Sequence, residues 1–277
     1  MSRHTITLIG AGNMGASLLA GLIQNGFPAK QLWITDPDTE KLRVLQQQFA
    51  IHTTTDNEKA VKEADAVILA VKPSIISSVA ESIAPVIQTK KPCVISIAAG
   101  IPEKKLQQWL GGDIAIVRCM PNTPALIGKG ASALYANPFV NEEQRKLAES
   151  ILRAVGIVVW LIDEKDMDAV TALSGSGPAY FLLMIELLQN IGESLGLSHE
   201  TARLLTLQTA LGTACMAEAS TESARELRQR VTSKGGTTEA AIAVLEKENI
   251  RELFEKALNA ACLRSKELAN ITDKENK

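Results

Sequence analysis

The chain is predicted to be an α/β protein, with a Rossmann-type doubly wound, mostly parallel sheet first and an all-α C-terminal half after it. Three observations carry this. A short β-prone apolar run, Thr5–Ile9, stops at Gly10-Ala11-Gly12-Asn13-Met14-Gly15 and passes straight into a helical pattern, Ala16 to Ile23. Strand-like and helix-like segments then alternate as far as residue 162, the arrangement that builds right-handed βαβ units. From Asp163 onward β-type alternation disappears and helical periods dominate. At 277 residues the chain exceeds the usual single-core domain. The expected division is a dinucleotide-binding domain over 1–162 and a helical domain over 163–277.

Each glycine of the first turn has a physical task. Gly10 permits the tight turn, Gly12 lets the backbone approach a pyrophosphate, and Gly15 allows the helix to pack closely on the strand. Phosphates belong at the helix N-terminus, where unpaired N–H groups and the helix dipole favour negative charge. The second strand, Leu32–Thr35, ends at Asp36, 21 residues beyond Gly15. An acid there accepts hydrogen bonds from the adenosine ribose hydroxyls and repels a 2′-phosphate, which favours NADH over NADPH. Asp36-Pro37-Asp38 reads equally as the start of helix Thr39–Phe49, with Asp38 or Thr39 as its N-cap.

Ala66–Val71 is a continuous apolar run, as expected of a strand covered on both faces. It leads to Lys72-Pro73, where the proline fixes a turn and the lysine is a candidate for phosphate or ribose. Helix Ile75–Ile87 follows. Strand Cys93–Ala98 gives way to Ala98-Ala99-Gly100, small residues that let a flat ring approach the backbone, and then to helix Glu103–Leu110. Strand Ile114–Cys119 runs into Met120-Pro121-Asn122-Thr123-Pro124, a polar loop stiffened by two prolines. Strands Ala131–Tyr135 and Ile157–Ile162 flank a helix over Asn141–Val155, whose Glu142 and Glu143 suit its positive end. Ligands of an open parallel sheet bind at the carboxyl ends of its strands, so these loops share one rim.

In the helical half, Ala179–Leu195 is apolar nearly all round and Thr201–Ala219 repeats the theme. Such helices must be buried on most faces. A domain of about 115 residues cannot easily bury two of them alone, so a subunit interface is expected. A compact monomeric bundle is the alternative. Thr171 to Ala179 carries two glycines and a proline; a kink needs only Pro178, so the extra Ser and Gly residues predict a close contact. Val231 to Ile242 contains a Gly235-Gly236 turn that opens a helix, with hydroxyls at Ser233, Thr237 and Thr238. Backbone N–H groups and these hydroxyls suit a carboxylate. A helix N-cap by Thr237 or Thr238 would account for one threonine but not for the cluster.

The formal net charge is −2 and no block of like charges occurs, so nucleic acid and anionic membrane partners are not indicated. The four cysteines lack Cys-x-x-Cys spacing and the three histidines form no metal-type pair, so no metal and a reducing compartment are expected. No apolar run reaches the roughly 18 residues that span a bilayer. The first strand begins too close to Met1 to leave room for a signal peptide. A soluble, cytoplasmic protein is expected.

These residues together resemble the pyrroline-5-carboxylate reductase family, over essentially the whole chain. The resemblance rests on the Gly10–Gly15 turn, Ala70-Val71-Lys72-Pro73, Ser96 to Gly100, Met120 to Ala125, Leu173 to Tyr180 and Gly235-Gly236-Thr237-Thr238. The last two strings, in this order and separation, are the most specific. It implies reduction of 1-pyrroline-5-carboxylate to L-proline, the last step of proline synthesis. It places NADP(H) or NAD(H) along Ile9, Gly10, Ala11, Gly12, Asn13, Met14, Asn57, Ala70, Val71, Lys72, Pro73, Ala98, Ala99 and Gly100. The substrate carboxylate would meet Ser233, Gly236, Thr237 and Thr238, with Glu164 near the substrate. Thr171 matches the hydrogen-bond partner or proton donor at the ring nitrogen.

Arg230 replaces a more usual neutral residue and is matched to phosphate. Family members mostly prefer NADPH, whereas Asp36 stands where they carry a small hydroxyl residue, so both cofactors stay open. The resemblance also implies a helical domain that interlocks with a second subunit, in dimers that often form a ring of five. The absence of a catalytic His or Lys is consistent, because a cyclic imine can be protonated beforehand and then mainly needs alignment. A β-hydroxyacid dehydrogenase would carry a lysine, followed four residues later by asparagine, where this chain has Ser174 to Pro178. A cofactor-sensing module without turnover would have no use for the hydroxyl cluster.

Overall fold

The computed structural model describes residues 4–271. They form two compact units, residues 4–176 with 261–271 and residues 177–260. The first unit runs β1 (Ile6–Ile9), α1 (Asn13–Gln24), β2 (Leu32–Thr35), α2 (Thr39–Phe49), β3 (His52–Thr54), α3 (Asn57–Lys62), β4 (Ala66–Leu69), α4 (Ile76–Lys90), β5 (Cys93–Ser96), α5 (Glu103–Trp109) and β6 (Ile116–Met120). It continues through β7 (Gly130–Ala136), α6 (Glu142–Arg153), β8 (Gly156–Trp160), a 3-10 turn at Glu164–Asp166, α7 (Met167–Val170) and a π-turn at Thr171–Gly175. The second unit contains α8 (Gly177–Ser194), α9 (His199–Glu218), α10 (Ala224–Arg230), α11 (Thr237–Lys247) and the first half of α12 (Ile250–Ile271), whose end returns to the first unit.

The eight strands form one sheet in the order β3-β2-β1-β4-β5-β6-β7-β8. Every pair is parallel except β6–β7. Chain order reverses between β1 and β4, and a doubly wound sheet binds its ligand at that switch point. The register sets Ile9 beside Thr35 and Leu69, so Gly10, Asp36 and Ala70 emerge together.

β1, β4 and β5 are buried along their whole length, which explains their unbroken apolar sequences. One face packs Ile6, Leu8, Ile68 and Ile95 on Leu18, Leu19 and Ile151. The other packs Val67, Leu69 and Val94 on Ile76, Ile83 and Leu106. Asp38 is the N-cap of α2, its carboxylate accepting from the N–H groups of Glu40 and Lys41. Asn141 and Gln144 form a capping box on α6.

Several elements differ from the sequence expectation. The strands expected over Ala66–Val71 and Cys93–Ala98 end at Leu69 and Ser96, because the residues after them turn to line the rim. β3 was not expected; it is three residues of polar sequence at the sheet edge, held by pairing with β2 and by stacking of His52 on Trp33 (centroids 4.6 Å apart). The sheet ends near residue 162, but the 3-10 turn, α7 and the π-turn stay in the first unit.

α8 and α9 pack on one another, yet each has a single buried residue, Gly177 and Ala202. Phe181 is 73% and Leu182 63% exposed. A self-sufficient monomeric bundle would not leave these side chains in water. The stretch Glu164–Ser194 is also long and apolar enough to cross a membrane by length and composition, which corrects the expectation that no such run exists. The expectation failed because the π-turn lets the helix run on through Ser174 to Pro178, where the sequence indicates a break.

Candidate cofactor and substrate sites

The Gly10–Gly15 turn bears out the steric tasks of Gly10 and Gly15. Gly10 has φ +108°, and a Cβ there would stand 2.6 Å from the Ala70 carbonyl oxygen across the switch point. At Gly15 a Cβ would lie 2.2 Å from the Gly10 oxygen, so only glycine lets α1 sit this close to β1. Gly12 has open space around its Cβ position. It is also the N-cap of α1, without a capping side chain and without an acid in the first turn. The N–H groups of Asn13, Met14 and Gly15 are therefore presented to a ligand, with the dipole uncompensated.

Asp36 braces this turn. Its Oδ2 accepts from the Ala11 N–H at 2.8 Å and its Oδ1 from the Asp38 N–H at 2.9 Å. The carboxylate is thus pinned beside the glycine turn, and it also shapes the start of α2. Thr35 donates from Oγ1 to Asn57 Oδ1 at 2.6 Å, which leaves the Asn57 NH2 facing no partner among the described residues. Lys72 is exposed, forms no ion pair among the described residues and precedes Pro73 on the turn after β4. After β5, Gly100 has φ +73°, and a Cβ there would meet the Leu268 Cβ of α12 at 3.3 Å. The Ala98–Gly100 turn is thereby backed by the end of α12, which Lys105 Nζ anchors through the Ala269 carbonyl at 2.6 Å.

Thr171 opens the π-turn, a geometry common at functional sites. Its Oγ1 donates to the Met167 carbonyl at 2.8 Å, so the hydroxyl keeps its lone pairs for an incoming donor. The close contact expected from the extra glycines is present: a Cβ at Gly175 would stand 2.3 Å from Met120 Cε. Asn122, read as a site or turn residue, is a strut. Its Oδ1 accepts from the Ala131 N–H at 2.8 Å and its Nδ2 donates to the Ser174 carbonyl at 3.2 Å.

Glu164 is firmly held. Its Oε1 accepts from Arg118 at 2.5 Å and from the Glu103 N–H at 2.7 Å, the latter at the first turn of α5. Arg118 lies in β6 and is 8% exposed. Sequence reading passed over it as part of an apolar strand, although a charge between Val117 and Cys119 is itself a signal, because a buried guanidinium demands a partner. Tyr135, opposite Arg118 across β6–β7, has its phenol held above the usual range by burial and then by the charges of Glu164, Glu103 and Asp163.

In the second unit, Gly236 is the N-cap of α11 and supplies no side-chain cap. This excludes the alternative in which Thr237 or Thr238 caps the helix. Gly235 has φ +73°, and its N–H is taken by Glu239 Oε2 at 2.7 Å, while the Gly236 N–H bonds the Ser233 carbonyl at 3.0 Å. The first N–H groups of α11 therefore remain free, flanked by the hydroxyls of Ser233, Thr237 and Thr238, none of which has a partner among the described residues. Arg230 is paired with Glu222 and is not free for phosphate as it stands. A cavity of about 860 Å³ lies elsewhere in this unit, lined by Arg228, Ile242, Leu245, Glu246, Arg251 and Phe254. It holds none of the residues expected to bind ligand, and its Glu246 already pairs with both Arg228 and Arg251. No cluster of metal-ligating side chains occurs among the described residues.

Comparison with known proteins agrees with this arrangement. Residues 164–268 match the family described as pyrroline-5-carboxylate reductase dimerisation, and residues 5–100 match that described as NADP oxidoreductase, coenzyme F420-dependent. The pyrroline-5-carboxylate reductase of Pseudomonas aeruginosa is 51% identical over 97% of this chain and 98% of its own length. The structure of a pyrroline-5-carboxylate reductase from Coxiella burnetii superposes with a TM-score of 0.93 at 48% identity, covering 97% of this chain and 99% of that one. The Plasmodium falciparum pyrroline carboxylate reductase, solved with NADP bound, gives a TM-score of 0.86 at 32% identity over 97% and 99% of the two chains. The chain belongs to the pyrroline-5-carboxylate reductase family.

Proposed function

We propose that the chain reduces 1-pyrroline-5-carboxylate to L-proline with NADP(H) as cofactor, as a soluble, cytoplasmic homodimer that assembles further into a ring of five dimers. Residues 1–162 act as the cofactor domain and 163–277 as the substrate and dimerisation domain. The observation that carries the reading is the uncapped start of α11, where free N–H groups stand beside three unengaged hydroxyls. A small carboxylate satisfies those donors together, and the helix dipole favours its charge.

When bound, the reduced nicotinamide supplies a hydride. The residues around the switch point fit such a group: the open position at Gly12 and the unpaired N–H groups of α1 receive the pyrophosphate, with Lys72 beside them. Asn57 and Asp36 serve the adenosine end, and Ala70, Val71, Pro73 and Ala98–Gly100 line the ring end. Asp36 is anchored by two backbone N–H groups and cannot swing aside without losing them, so it discriminates against a 2′-phosphate and keeps NADH usable. Arg230 supports phosphate only after releasing Glu222.

Ser233, Gly236, Thr237 and Thr238 hold the substrate carboxylate. Thr171 spends its proton on Met167, so it accepts a hydrogen bond from the ring N–H of an imine that arrives protonated. As the hydride reaches C5, a C–H bond forms and the C=N π pair withdraws onto nitrogen, giving the secondary amine with no further proton needed in that step. Positioning therefore supplies most of the catalysis. Adding pyrroline-5-carboxylate to the enzyme and NADPH should consume NADPH absorbance with equimolar proline formation. No consumption with either cofactor would refute this function.

A further inference from the structure

Three elements of the first unit meet at one carboxylate oxygen. Glu164 Oε1 receives the Arg118 guanidinium of β6 at 2.5 Å and the Glu103 N–H of α5 at 2.7 Å. Pro102, the N-cap of α5, has no side-chain donor or acceptor, so Glu164 supplies the cap that α5 lacks. α5 follows directly on the Ala98–Gly100 turn. Oε2 of the same carboxylate has no hydrogen-bond partner among the described residues. Glu103 is turned away: its carboxylate accepts from Asn137 Nδ2 at 2.7 Å.

We infer that Arg118 is a positioning residue for the reduction: by holding Oε1 of Glu164, it fixes the orientation of that carboxylate beside the iminium ring, whose N–H is taken by Thr171. The inference rests on the proposed reaction, in which the substrate is an iminium cation. A carboxylate held in one orientation stabilises that cation, whereas a freely rotating one loses the alignment. Arginine suits the task, because it stays charged and its planar fork constrains the carboxylate more than an ammonium would. Tyr135 from β7 feels the charges of Glu164, Glu103, Asp163 and Arg118. Tyr135 stays neutral through the neutral range, and Arg118 is the cation among the charges that act on it.

The test uses full-length Arg118→Gln, Arg118→Lys, Glu164→Gln and the Arg118→Gln/Glu164→Gln double variant. Arg118→Gln should raise KM for pyrroline-5-carboxylate about tenfold or more while the Kd for NADPH stays within about twofold. The loss should fall on KM more than on kcat, and Arg118→Lys should recover part of it. Glu164→Gln should raise KM for the imino acid at least as much as Arg118→Gln, again with NADPH binding unmoved. The double variant should be no worse than Glu164→Gln, because Arg118 acts through Glu164. Additive losses, or equal losses of NADPH and imino-acid binding with a lowered Tm, would show Arg118 to be merely structural. A Glu164→Gln enzyme as active as wild type would overturn the inference while leaving the reaction intact, whereas a wild-type protein without turnover refutes the reaction itself.

Discussion

Replacing Gly12 with alanine should separate cofactor binding from folding. Gly12 has φ −71° and ψ 178°, a conformation any residue adopts, and an added Cβ meets nothing within 4 Å. Alanine is the poorer N-cap, by under about 1 kcal/mol. Its smaller unfolded-state freedom returns about 0.4–1 kcal/mol. The two nearly cancel, so Tm should move by less than about 3 °C. Binding should respond very differently, because the new methyl stands where a pyrophosphate must approach the N–H groups of α1. Losing one or two charge-assisted hydrogen bonds costs about 2–4 kcal/mol, or about 30- to 1000-fold in Kd. Isothermal titration with NADPH, alongside thermal unfolding, measures both quantities. A Kd within about threefold of wild type at unchanged Tm would refute the placement of the phosphates. Gly15→Ala is the contrasting control, since its Cβ meets backbone oxygen at 2.2 Å and should damage the fold itself.

Further outcomes follow from the same geometry. Asp36→Ser should shift the ratio of kcat/KM values toward NADPH and weaken use of NADH, because it removes both the charge and the brace on the Ala11 N–H; an unmoved ratio would exclude the ribose role. Thr238→Ala should raise KM for the imino acid about tenfold with kcat nearly unchanged, since the lost contact is made in ground and transition states alike. Cys93 and Cys119, whose thiols burial pushes up to about 12, should resist alkylation of the native protein at about pH 8 and react only after unfolding. Mass spectrometry of the labelled chain checks this. Truncating exposed apolar residues of α8, as in Phe181→Asp, should yield smaller assemblies by light scattering, whereas unchanged mass would show that this face is not the interface.

The local parts of this protein were readable from residue order because they obey short periods. α2 has the predicted bounds, Gly10 and Gly15 stand where a Cβ would clash, and the exposed α8 and α9 match two helices too apolar for one small domain. β3 escaped because three polar residues carry no period; pairing with Trp33 and its neighbours makes them a strand. The antiparallel β7 escaped for a related reason, since strand direction depends on how the chain returns rather than on which residues the strand contains.

The site divides along the same line. Residue order alone carried the strand-to-helix glycine turn, the hydroxyls around Gly235-Gly236 and the acid after the second strand, because each is a compact string whose chemistry lies in its own backbone. Tertiary structure added the tie between Arg118 and Glu164, the strut from Asn122 to Ser174, and the seating of Gly175 against Met120. Each joins residues some 46 to 55 positions apart in the chain. No helical or strand period spans such a distance, and only the packing of the 3-10 turn and the π-turn against β6 and the loop after it brings those residues together.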